Sequence, residues 1–306
     1  MSFDDQRRDF LKLLGVGGVV YASGLAGVGR LGGAWAAKPA TAAGDDFFFL
    51  QLSDTHWGFQ GPPNPDAATT LKKTVEVINQ SPRQPDFIVF TGDLTHTTDD
   101  PAVRRTRMKE FKEIVAPLKV KTVHFMPGEH DASLDAGEAY REFFGALNYT
   151  FDHKGIHFVC VDNVSDPKGA VGSKQMEWIA ADLAKVDKDA PIVVLTHRPL
   201  FDLYPQWDWA TADGARVIEL LQTHRHVTVF YGHIHQENHH MTGDIAHHAA
   251  KSLIFPLPAP GSVPKRAPLP WDPSSPNHGL GYRTVAAQKK GTAFDLTELG
   301  LNGAKA

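Results

Sequence analysis

Cysteine is almost missing from this chain of 306 residues: Cys160 stands alone. One thiol excludes an intramolecular disulfide and any cysteine-rich zinc site. Cys160 lies inside the apolar run IHFVCVDN, which reads as a buried, inert thiol rather than a nucleophile. An excess of positive charge is also absent. The formal net charge is −4, so no basic field exists to grip a nucleic acid, and none is expected as a partner. Internal repeats are lacking. Beyond the N-terminal region there is no run of about 18 apolar residues, so nothing there is expected to span a membrane. The glycines Gly15, Gly17 and Gly18 follow no strand and make no phosphate loop.

The N-terminus reads MSFDDQRRDFLKLLGVGGVVYASGLAGVGRLGGAWAA. Arg7-Arg8 precede Asp9-Phe10-Leu11-Lys12, then a Gly-rich, moderately apolar stretch, then the small residues of Ala34-Trp35-Ala36. This resembles a twin-arginine (Tat) export signal of the form RRxFLK. The glycines and paired arginines argue against an ordinary secretory signal or a transmembrane anchor. The expected organisation is a signal over 1–36, a linker over 37–45 and a single domain over 46–306. The resemblance implies the Tat machinery as a partner, a periplasmic destination, and membrane contact only through the signal if it is retained.

From residue 45 onward, apolar runs alternate with amphipathic stretches. FFFLQLSD (47–54), PDFIVFTGD (85–93), TVHFMPGE (122–129), IHFVCVD (156–162), PIVVLTH (191–197) and VTVFYGH (227–233) read as strands. Helical patterns lie between them: ATTLKKTVEVIN, the stretch 102–118, EAYREFFG, SKQMEWIAADLAKV and GARVIELLQTHR. Such interleaving predicts an α/β architecture. The Pro-rich stretch 256–279 forms no regular element, and the tail is expected to fold as a hairpin around Lys289-Lys290-Gly291 that completes a sheet.

Acids and histidines gather where the strands end. Asp54 and His56 follow the first, Asp93 the second, Glu129, His130 and Asp131 the third, His197 another, and His233 and His235 the last. In open α/β sheets that edge is where ligands bind. Oxygen and imidazole donors without thiolates suit Mn, Fe or Zn, and their number exceeds what one zinc needs, which suggests two metals sharing a carboxylate.

At these residues the chain resembles the calcineurin-like metallophosphoesterases. Their ordered pattern D-x-H, G-D, G-N-H-[DE], H and G-H-x-H appears as Asp54-Thr55-His56, Gly92-Asp93, Gly128-Glu129-His130-Asp131, His197 and Gly232-His233-Ile234-His235. The first and last motifs are most similar to the cyclic-nucleotide phosphodiesterase branch. The resemblance implies a four-layer α/β/β/α sandwich with two central mixed sheets. It also implies two divalent or mixed-valence ions: Asp54, His56 and His235 on the first, Glu129, His197 and His233 on the second, and Asp93 bridging. A metal-bridging hydroxide would attack a phosphomonoester or phosphodiester, with His130 donating a proton to the leaving oxygen. The family's second acid in G-D-x-x-D, which orients that histidine, is replaced here by His96, so Asp131 or a backbone carbonyl is expected to take over. Glu129 stands where the family has asparagine. It is expected to ligate still; the alternative is an exported metal-binding protein of the same fold with catalysis lost or retuned. Arg198, the pairs His239-His240 and His247-His248, and the loop aromatics Trp57, Phe59, Trp207 and Trp209 are further candidates for substrate contact or for ordinary packing.

Overall fold

A run such as Phe48–Leu52, apolar but for Gln51, can be a strand only if both of its faces are covered. In the computed structural model, which describes residues 47–305, this strand (β1) is buried along its whole length, as is β2 (Phe87–Thr91). The signal expected at 1–36 and the linker expected at 37–45 lie outside the described residues. Among the described residues no helix is long and apolar enough to cross a membrane.

Two mixed sheets carry the fold. The first has the order β11-β10-β1-β2-β3, where β3 is Val123–Met126 and the hairpin β10 (Tyr282–Gln288) and β11 (Ala293–Leu299) adds antiparallel to β1. The second has the order β4-β5-β6-β7-β9-β8. Its parallel centre is β5 (Ile156–Cys160), β6 (Pro191–Leu195), β7 (His226–Tyr231) and β9 (Ile245–Ala249). Its edges, β4 (Tyr149–His153) and β8 (Asn238–Thr242), pair antiparallel with β5 and β9.

Period-two alternation sorts the side chains into layers. Phe49, Phe87, Phe158 and Phe230 interlock between the sheets, with Phe49 stacked on Phe87 at 4.8 Å between centroids. Phe48, Leu50, Ile88 and Phe90 face outward onto helices α1 (Ala67–Gln80) and α2 (Pro101–Val115). Val159, Ile192, Val194 and Val229 face the other way onto α5 (Ser173–Leu183) and α6 (Gly214–Leu221). The result is the four-layer α/β/β/α sandwich. Cys160 is buried between the sheets, and burial pushes its thiol up to about 12, as an inert core residue requires.

Three elements depart from the sequence reading. β4 is a half-exposed edge strand of mixed polarity, YTFDH, without the apolar signature of its neighbours. The charged half of GEHDA coils into a short helix, α3 (Glu129–Ala132), followed by α4 (Glu138–Phe144). The helix over 102–118 begins at Pro101 and ends at Val115, and Asp100 caps it by accepting from the amides of Ala102 and Val103.

Candidate metal centre

The strands β1, β2 and β3 of one sheet and β6 and β7 of the other end at a common rim. Their C-terminal loops are laced together by the amide of Asp54 on Gly92 O (3.1 Å), His56 on Asp93 O (2.9 Å) and Gly232 on His197 O (3.0 Å). The crowding is severe enough to demand glycine. A Cβ at Gly92, whose φ is +97°, would lie 2.2 Å from His197 Nδ1, and one at Gly128 would lie 2.1 Å from the Asp93 amide nitrogen. Asp54, His56, Asp93, His233 and His235 all sit at positive φ, between 41° and 67°. Each such backbone costs on the order of 1–3 kcal/mol and persists because the surrounding loops over-determine it, a cost concentrated at functional sites.

All seven expected ligand residues come together. Asp54, His56 and His235 form one group of converging donor atoms; Glu129, His197 and His233 form a second. Asp93 lies between them: its Oδ2 is 3.3 Å from His56 Nε2 and 3.5 Å from His197 Nε2. Glu129 reaches His233 Nδ1 with Oε1 and His197 Nε2 with Oε2, both at 2.8 Å.

The imidazoles are anchored from behind. His197 Nδ1 donates to Thr91 O (2.7 Å), His233 Nε2 to Asp208 O (3.0 Å) and His235 Nδ1 to Phe255 O (2.8 Å). The other nitrogen of each ring therefore points its lone pair inward, as a metal-ligating histidine does. Behind His56 stands His96, the two Nδ1 atoms being 3.3 Å apart. At the centre, Glu129 Oε2, His197 Nε2 and His233 Nδ1 are buried and make no hydrogen bond. Orphaned acceptors facing one another in a dry site are costly unless a cation joins them. The titration of the groups points the same way. Burial would raise Asp93 and Asp54 and lower His197. Instead the neighbouring charges hold Asp93 down at about 2 and Asp54 below its ordinary value, and Asp93 and Glu129 pull His197 well above its own. The site calls for positive charge, and its donor set fits divalent metal.

His130 lies at the rim of this cluster, Nε2 4.0 Å from Asp93 Oδ2. Its Nδ1 accepts from the Thr97 amide at 3.0 Å, so the ring carries its proton on Nε2. This corrects the expectation for Asp131, which does not touch His130. Asp131 is buried and accepts from the amides of Leu94, Thr95 and Gly128 and from the Thr95 hydroxyl, all within 3.0 Å. It clamps the loop bearing Asp93 to the turn bearing Glu129, a positioning role.

The remaining candidates divide. Arg198 is buried and locked to Asp208 in a bidentate pair (2.8 and 2.5 Å), with Nε 3.9 Å from Glu129 Oε2. Trp207 and Trp209 are packed into a satellite core with Tyr231 and Ile254. Trp57 is pinned by its indole N–H on Glu110 (2.7 Å), while Phe59 packs on His96 and Phe255. The four extra histidines pair across the β8–β9 hairpin, His239 with His248 and His240 with His247; His247 is buried, not at the surface. One residue at the site escaped the sequence reading. Arg266, in the Pro-rich stretch, lines the same cavity as the cluster, and nothing local in its sequence marks it.

Comparison with known proteins agrees with this geometry. Residues 49–237 match the family described as calcineurin-like phosphoesterase. A probable cyclic nucleotide phosphodiesterase of Rhodococcus erythropolis is 29% identical over 205 residues, 61% of this chain and 64% of that protein. The cAMP/cGMP dual specificity phosphodiesterase of Mycobacterium tuberculosis is 31% identical over 170 residues, 51% of each chain. This chain thus spans less than two thirds of the length of those relatives. In fold it is similar to a purple acid phosphatase from yellow lupin (TM-score 0.61, 14% identity, covering 86% of this chain and 53% of that one). A dimetal phosphatase from Danio rerio is similar too (TM-score 0.56, 14% identity, 83% and 95%). The family match covers more than half of the chain, from β1 through His235, and the chain belongs to the calcineurin-like phosphoesterase family.

Proposed function

We propose that the protein is a metal-dependent phosphoester hydrolase with a binuclear centre, acting on a phosphodiester of small size, and that it is exported by the Tat route. The observation that carries this reading is the convergence of two donor groups on either side of Asp93, in one of which Glu129 Oε2, His197 Nε2 and His233 Nδ1 are buried without a hydrogen-bond partner. Asp54, His56 and His235 would hold one ion, Glu129, His197 and His233 the other, and Asp93 both. Bound there, Mn, Fe or Zn would supply Lewis acidity and lower the pKa of a water.

The chain's own groups do the rest. Thr91 O, Asp208 O and Phe255 O hold the imidazoles in register. The Thr97 amide keeps the His130 proton on Nε2, where it can be given to the leaving alkoxide or hydrogen-bonded to a phosphoryl oxygen. Asp131 keeps Asp93 and Glu129 at a fixed separation. The cavity over the cluster, about 150 Å³, has room for a phosphoryl group. The names of the bacterial relatives favour a cyclic-nucleotide-like diester.

Turnover of bis-p-nitrophenyl phosphate by the metal-loaded protein tests the reading. Release of nitrophenol that is abolished by a chelator and restored by manganese is the expected result. Protein that binds metal yet releases none would instead be the alternative, a metal-binding member in which Glu129 has cost the activity.

A further inference from the structure

The cavity over the cluster is walled on one side by His56, Asp93, Glu129 and His130 and on the other by the Pro-rich stretch, which contributes Arg266, Ala267 and Pro268. Arg266 is the only lysine or arginine in that wall. It is half-buried, and among the described residues its guanidinium has neither a carboxylate partner nor a hydrogen bond. Arg198, by contrast, is spent on Asp208. An unpaired guanidinium beside an acid-lined cavity has five donors in a planar fork, a geometry that matches a phosphoryl group.

The segment that presents it is stiff without being regular. Pro256, Pro258, Pro260, Pro264, Pro268 and Pro270 fix φ at intervals, and the Leu269 amide ties the stretch back on Pro256 O at 3.0 Å. Such a segment loses little entropy when its side chain engages a ligand. Charge supplies a second reason. With two divalent ions, the carboxylates of Asp54, Asp93 and Glu129 leave one formal positive charge; a neutral amide at position 129 would leave two. The substrate is an anion, so a site that carries Glu129 needs a cation from elsewhere.

We propose that Arg266 binds a non-bridging phosphoryl oxygen of the substrate, which makes the Pro-rich stretch part of the binding site and offsets the charge of Glu129. The proposal rests on the phosphoesterase reading for its substrate, though phosphate recognition can be measured separately.

The experiment uses the metal-loaded full chain as wild type, Arg266→Ala and Arg266→Lys. For Arg266→Ala, KM for bis-p-nitrophenyl phosphate rises by roughly 10- to 100-fold and competitive inhibition by inorganic phosphate weakens in parallel, the loss of one charge-assisted contact. kcat changes much less. Arg266→Lys recovers part of the loss, as a point charge without the fork should. Metal content and Tm stay at wild-type values, because the side chain holds nothing else in place. Unchanged KM and unchanged phosphate inhibition in Arg266→Ala overturn the proposal. Should the wild type hydrolyse no phosphoester, calorimetric titration of the loaded protein with inorganic phosphate decides instead. Weaker binding by Arg266→Ala upholds the role of Arg266 even though the hydrolase reading has failed. Equal binding, or none by the wild type, overturns it.

Discussion

Glu129 stands where the sequence resemblance implies an asparagine, and its surroundings show how a carboxylate is accommodated there. Burial would push its carboxyl up, yet His233 and His197 hold it well below the usual range. Its two oxygens face two imidazole nitrogens at 2.8 Å each, and Arg198 stands 3.9 Å behind. On the proposed reading this carboxylate is a ligand, and Glu129→Ala should then lower the bound metal from about two ions per chain toward about one, while Glu129→Asn, which keeps an oxygen donor, retains more. Elemental analysis after dialysis measures this; equal metal in wild type and Glu129→Ala would sink the assignment. His96 belongs to the same scale. It occupies the place where the resemblance implies an acid, but instead of orienting His130 it lies behind His56, while the Thr97 amide meets His130 Nδ1.

At the scale of elements, β3 shows how a strand can carry a titration unrelated to the centre. His124 stacks on Phe151 of β4 at 3.7 Å and meets Phe87 edge-on at 5.5 Å. Burial, with His153 adding to it, lowers its pKa to about 4. The unfolded chain, with an ordinary imidazole near 6.5, binds more protons than the folded one between those values. Stability from the neutral ring is therefore complete above about pH 6.5 and is lost as pH falls toward 4. His124→Phe keeps the stack and removes the proton site. Its denaturation midpoint should fall less steeply between pH 7 and 4, by on the order of 1–2 kcal/mol across that window once partial exposure is allowed for. Identical slopes for the two proteins in urea melts at both pH values would refute this.

For the molecule as a whole, the question is what registers one sheet on the other. Most of the interface is apolar and non-directional, built from the Phe49 and Phe158 cluster. Arg283 of β10 is fully buried and adds direction. It pairs with Glu298 of β11, donates to Ala249 O on β9 at 2.6 Å and to Gln51 on β1 at 3.4 Å, and so ties the two sheets together. Arg283→Ala leaves Glu298 as a buried, unpaired carboxylate and should cost about 3–5 kcal/mol in urea denaturation, whereas Arg283→Met with Glu298→Leu should recover most of it. A single variant within about 1 kcal/mol of wild type would show that the apolar interface alone sets the register.

Much of this protein is determined by its sequence alone. Short apolar runs such as FFFLQL and FIVFT, interleaved with amphipathic stretches, make the α/β alternation legible, and the tail makes the terminal hairpin legible, whereas the four-layer sandwich is implied by the family resemblance. The convergence of these acids and histidines is legible because their order is tied to strand ends, where chain direction forces side chains to one rim. The tertiary structure decides what depends on neighbours far away in the chain. Of the two groups expected to orient His130, Asp131 does not do so, because its four donors come from the residue 94–95 loop and Gly128 and its oxygens are already spent. Trp207 and Trp209 bury themselves against Tyr231 and Ile254 rather than waiting for a substrate ring. Arg266 enters the site because a Pro-rich stretch folds back over it. Local sequence encodes period, turn and donor chemistry, while which donor is already satisfied, and which cation is left free, is settled only when segments distant in sequence are packed against one another.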